Sequence, residues 1–160
     1  MELPFYRSGD EIWRLLSVHL AILIFLPFSR PFDKIGVIEI TITGIATTGG
    51  TLRAAVFGNA KSFEKKQHFI AEEVIPVTSA SEVRLAFPDL PPGRYAIAVF
   101  HDLNDNGILD TNALGIPTEP YGFSNNPAAK WSAPKFEEAA VDLSRARLIL
   151  PVNVLPWRRR

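Results

Sequence analysis

Between His101 and Asp110 the chain reads His-Asp-Leu-Asn-Asp-Asn-Gly-Ile-Leu-Asp. Asp102, Asn104 and Asn106 place side-chain oxygens at alternate positions. Gly107 follows, Ile108 offers its backbone carbonyl, and Asp110 adds a second carboxylate. That is the ligand spacing of the first nine positions of a calcium loop, in which glycine makes the sharp turn. The loop departs from the full pattern at its end, where Ala113 stands in the place of the bidentate glutamate. With only Asp102 and Asp110 charged among the five candidate ligands, the expected calcium affinity is weak, about 10⁻⁴ to 10⁻³ M. The alternative is a metal-free polar turn, in which Asp and Asn side chains cap backbone N–H groups and Gly107 takes a positive φ.

Other arrangements offer less. His101 adjoins Asp102, but neighbours on a strand point to opposite faces, so the two do not make a ready dyad. There is no cysteine, which excludes disulfides, thiol catalysis and thiolate zinc sites. No Gly-x-Ser-x-Gly elbow occurs, and His19 and His68 do not share a zinc spacing with His101. Ser124 reads as a turn hydroxyl rather than a nucleophile. No catalytic residue is therefore assigned, and the chain is expected not to be an enzyme. The stretch Pro120-Tyr121-Gly122-Phe123-Ser124-Asn125-Asn126-Pro127 offers a candidate binding surface. Tyr121 and Phe123, with Trp131 beyond them, supply rings that could stack on a sugar or grip a peptide, and the Asn125 and Asn126 amides supply hydrogen bonds. The competing reading is that these rings plug one end of the fold.

Seventeen basic and seventeen acidic residues cancel, so no global field draws the chain to nucleic acid or anionic lipid. The run Leu15 to Leu26 is apolar, closed by Pro27 and preceded by Arg7 and Arg14. Its length suits the core of a signal peptide better than a full membrane span. Residues 1–33 are thus read as a leader or uncleaved anchor, 34–155 as the folded domain, and 156–160 as a basic tail. A periplasmic or secreted location follows, with membrane contact only through the first segment if it stays attached.

The elements that must hold the candidate residues are short and β-rich. Val37–Thr43, Thr51–Phe57, a run from His68–Ala71 through Glu72 and Glu73 into Val74–Val77, Glu82–Phe87, Tyr95–Phe100, Ala139–Leu143 and Arg147–Val154 alternate or run apolar between turn signals. Pro76 argues against an interior strand at that point. Ala60–Lys66 reads as a charged loop anchored by Phe63, Pro88–Gly93 as a rigid turn, and Leu114–Pro134 as a long irregular connection. The expectation is a single antiparallel β-sandwich of about seven strands behind an N-terminal hydrophobic helix or signal segment.

Leu90-Pro91-Pro92-Gly93-Arg94-Tyr95, leading into the Ala96–Phe100 run, resembles the penultimate-strand signature of immunoglobulin-like sandwiches of the prealbumin and collagen-adhesin B type. Asn106-Gly107-Ile108-Leu109-Asp110-Thr111-Asn112, Leu114-Gly115-Ile116-Pro117 and Tyr121-Gly122-Phe123-Ser124-Asn125-Asn126 together resemble the domain-of-unknown-function family 2141. Gly50–Phe57 fits that family's opening strand and Pro134–Ala140 its closing segment. The resemblance implies an exported bacterial β-sandwich and no known reaction. The expected role is a structural or interaction module, with calcium as a weak brace and an envelope protein or glycan as partner. The alternative is a carbohydrate- or peptide-binding module using residues 120–127.

Overall fold

The computed structural model describes residues 35–128 and 132–157. The leader or anchor segment, Trp131 and Arg158–Arg160 lie outside the described residues. Among the described residues the domain is all-β, built as two sheets with two short helices. In chain order these are β1 (Gly36–Thr43), β2 (Thr51–Phe57), α1 (Ala60–Lys65), β3 (Ala71–Pro76), β4 (Val83–Leu90), β5 (Gly93–Asp102), β6 (Tyr121–Phe123), α2 (Phe136–Ala139), β7 (Val141–Leu143) and β8 (Arg147–Asn153). Among the described residues no helix is long and apolar enough to cross a membrane.

The smaller sheet has the order β4-β1-β8 and the larger the order β3-β2-β5-β6, with β7 pairing to the start of β5. The expectation of a purely antiparallel fold fails at one place. β1 and β8 run parallel, from Val37 opposite Arg147 to Thr43 opposite Asn153. Parallel neighbours need a long crossover, and the whole intervening domain supplies it between the first strand and the last. Pro76 ends β3, which among the described residues is an edge strand paired with β2, where a missing donor does least harm.

Alternation explains where the core sits. On β1 the isoleucines at 38, 40 and 42 are buried, while Val37, Glu39 and Thr41 face outward, as the period of two requires. They meet Leu52, Val56, Ile97 and Val99 of the larger sheet and Leu150 and Val152 of β8 in one apolar cluster. The opposite face of the larger sheet is also covered. Phe57, Phe63, Tyr121, Phe123 and Phe136 form a second cluster with Ala96, Ala139 and Ala140, and Trp157 packs against it. β5 is therefore covered on both sides, which accounts for its nearly continuous apolar run.

Two segments read as irregular carry structure. Ala60–Lys65 is helical because Asn59 accepts the Ser62 N–H at 2.9 Å and Lys66 closes the turn with φ 52°, an N-cap followed by a left-handed C-cap. The connection after β5 contains β6, whose residues pair with Ala98–Phe100. Pairing also fixes the poles of the larger sheet. Thr51 lies opposite both Asp102 and Pro76, and Phe57 lies opposite Ala96. The loop after Asp102 and the helix after Phe57 therefore leave from opposite ends, separated by roughly 20 Å of strand.

Candidate functional site

Asp102 is the last residue of β5 and fully buried. Its Oδ2 accepts Arg53 Nε at 2.9 Å and the Gly107 N–H at 2.8 Å, and its Oδ1 accepts the Asn106 N–H at 3.1 Å. Arg53 projects from β2 beneath the turn, close enough that a Cβ on Gly107 would stand 3.5 Å from its Nη2. Gly107 has φ 83°, the left-handed conformation the sequence anticipated. Burial works against ionisation of Asp102, but the Gly107 N–H, the Arg53 guanidinium and the Asn106 N–H outweigh it and hold the carboxyl below its ordinary value.

The remaining candidate ligands complete a hydrogen-bonded ring. Asn104 Oδ1 accepts the Asn106 N–H at 3.2 Å, and Asn106 Oδ1 accepts the Ile108 N–H at 2.9 Å. The amides of Asn104 and Asn106 donate to the two oxygens of Asp110 at 2.8 and 3.1 Å. Asp102, Asn104, Asn106, Ile108 and Asp110 are thus brought into one loop. Among the described residues no group of three or more histidines and acids is placed to hold a metal ion. The two acids of the set sit among amide and peptide oxygens, and Arg53 already places a positive charge on Asp102.

Two residues of this site escaped the sequence reading. Arg53 is one. The other is Glu119, 4% exposed, whose Oε1 accepts the Leu103 N–H at 2.8 Å and whose Oε2 accepts the Asp110 N–H at 3.0 Å. It ties the first turn of the loop to its end. From Asp110 a small hairpin continues: Thr118 N donates to Asp110 O, Asn112 N to Ile116 O, and Asn112 Oδ1 accepts the N–H groups of Leu114 and Ile116. On this locked frame three apolar side chains face solvent. Leu103 is 45% exposed, Ile108 63% and Leu114 83%.

The aromatic segment is placed differently. Tyr121 and Phe123 are buried, packed edge-to-face on each other, with Phe123 also against Phe63. Their rings fill the second cluster and offer little surface to a ligand. Asn125 and Asn126 adopt positive φ, 61° and 45°, and spend their amides on backbone. Asn125 Nδ2 donates to Ala140 O at 2.7 Å. Asn126 donates to Pro151 O at 3.1 Å and accepts the Asn153 N–H at 2.7 Å, capping the β8 edge. Tyr121 and Leu155 exchange backbone hydrogen bonds. Gly122 is required here because a Cβ would stand 2.6 Å from Asn153 O. Together these bonds staple the 120–127 loop to both sheets.

Ser124 is fully buried, accepting the Ile97 N–H at 2.9 Å and donating to Ala139 O. His101 is 1% exposed, and its Nε2 lies 2.8 Å from Gly49 O, so that nitrogen carries the proton and donates. Its contact leads away from Asp102, and no hydrogen bond joins the two side chains among the described residues.

An all-β domain of two sheets, closed by an Asx-rich turn after β5 and a stapled glycine–aromatic–asparagine segment, is the class that these features define. Residues 40–149 match the family model described as "Uncharacterized protein conserved in bacteria (DUF2141)", and the chain belongs to that family. Comparison with curated proteins and with solved structures gave no match.

Proposed function

We propose that this chain is a non-enzymatic structural or interaction module of an extracytoplasmic compartment: a β-sandwich whose 102–119 segment is the contact surface and binds calcium weakly. One observation carries the reading. Leu103, Ile108 and Leu114 are exposed on a segment whose backbone is held by Asp102, Asn104, Asn106, Asn112 and Glu119. A prearranged apolar surface loses little conformational entropy on binding. The groups that could support hydrolysis, Ser124 and His101, are buried in structural bonds. The sandwich reading is supported by the apolar cluster common to both sheets. The extracytoplasmic reading rests on the apolar run Leu15 to Leu26.

Calcium enters as a brace. Metal would draw the oxygens of Asn104, Asn106 and Asp110 inward and compete with Arg53 for Asp102. Thermal melting tests it. Calcium at about ten times its dissociation constant should add about 1.4 kcal/mol, raising the melting temperature by several degrees over chelator, with magnesium giving less. A melting temperature that ignores 10 mM calcium, about ten times the upper end of the weak range and about a hundred times its lower end, would remove the metal from the account.

The rival reading, in which residues 120–127 hold a sugar or peptide, is less well supported, because Tyr121 and Phe123 are 7% and 9% exposed.

A further inference from the structure

The partner of the 102–119 segment can be argued from charge and placement, resting on the reading of that segment as a contact surface. Between Arg94 and Lys130 the sequence has no lysine or arginine. The nearby guanidinium of Arg53 is paired with Asp102, and the exposed apolar side chains of Leu103, Ile108 and Leu114 stand in an acidic setting, with Asp105 exposed and Asp110 half-buried beside them. The opposite pole of the larger sheet has the complementary character. Phe57 ends β2 there, and α1 with its following turn carries exposed Lys61, Lys65 and Lys66 against a single acid, Glu64. α2, packed on α1 through Phe63 and Phe136, adds exposed Lys135, Glu137 and Glu138 and leaves the pole with a small basic excess. Among the described residues none of these lysines makes an ion pair. Next to them Phe69 and Ile70 are 45% and 52% exposed. Glu72, the first acid of β3, turns toward Arg53, 4.0 Å away.

We infer that the partner is a second copy of this chain, bound head to tail. Leu103, Ile108 and Leu114 of one copy cover Phe69 and Ile70 of the next, while Asp105 and Asp110 face Lys61, Lys65 and Lys66. Such a contact joins two different patches, so each added copy leaves one of each free and the assembly grows as a ring or filament. With a formal net charge of zero, copies do not repel one another.

The test uses light scattering on the full chain and two surface variants, Leu114→Asp and the double variant Lys61→Glu/Lys65→Glu. The wild type should rise in mass with concentration beyond a dimer. Each variant alone should stay at the mass of one chain with an unchanged melting temperature. Their equimolar mixture should regain twice that mass and stop there, because only one sound head and one sound tail remain. A wild type that keeps the mass of one chain up to about millimolar overturns the inference, as does a mixture that fails to pair. If that monomeric wild type instead floats with phosphatidylcholine vesicles and Leu114→Asp does not, the loop is a lipid-contact surface and only the self-association is lost. Leu114→Asp without effect on either readout removes the contact-surface reading as well.

Discussion

Replacement of Asp102 by alanine is expected to destabilise the domain by about 3–5 kcal/mol, the usual effect of removing one partner of a buried ion pair. Three donors lose their acceptor at once: Arg53 Nε and the N–H groups of Asn106 and Gly107. The guanidinium is left beneath the turn with only the longer, 4.0 Å contact to Glu72. Asp102→Asn should fall between the two, since its amide keeps an acceptor but loses the charge, whereas Asp105→Ala on the exposed rim should stay within about 0.5 kcal/mol. Urea denaturation measures all three, and a loss under about 1 kcal/mol for Asp102→Ala would show that the buried pair does not hold the loop. The same bonds predict the pH dependence. The folded carboxyl is held below its ordinary value, so its contribution is complete above the unfolded value of about 3.9. It declines as acid carries the solution down through the lowered folded value. The Asp102→Ala variant should lack this part of the acid transition.

The second large effect is expected at Phe123. Its ring packs against Tyr121 and Phe63 and is 9% exposed, so Phe123→Ala should cost about 3–5 kcal/mol through the cavity it leaves. The loss should spread to α1 and α2, because Phe63 and Phe136 meet in the same cluster, 6.1 Å between ring centres. Melting of the variant in a background carrying Trp13→Phe and Trp131→Phe, followed by the fluorescence of Trp157 at the edge of that cluster, reads both the loss and its location. A variant that melts within about 1 kcal/mol of the wild type would mean that the ring is not a packing residue, and would return weight to a binding role for the 120–127 loop.

Much of the architecture is legible in the sequence because alternation is a local property. Ile38, Ile40 and Ile42 declare a half-buried strand before any partner is known. The direction of β8 is not legible in the same way, since a period of two looks the same whether Arg147 or Asn153 lies opposite Val37. β6 escapes notice because three residues are too few to show a period. α1 was masked by its lysines, although Asn59 ahead of it is a good N-cap residue.

The candidate site divides along the same line. Oxygen spacing from Asp102 to Asp110 is a local signal, and so is the positive φ of Gly107. Arg53 and Glu119 are joined to the loop from 49 and 16 residues away, and no spacing rule links them to it. What the structure adds is the destination of each oxygen. Glu119 spends both oxygens on backbone N–H groups.

The 102–119 segment is held in shape by its own side chains before any metal or partner arrives. Amide hydrogen exchange in the presence of chelator tests it most directly. The N–H groups of Leu103, Asn106, Gly107 and Asp110, each bonded to a carboxylate oxygen, should exchange far more slowly than those of an unstructured chain. Exchange at the unstructured rate in chelator, with protection appearing only when calcium is added, would contradict the account.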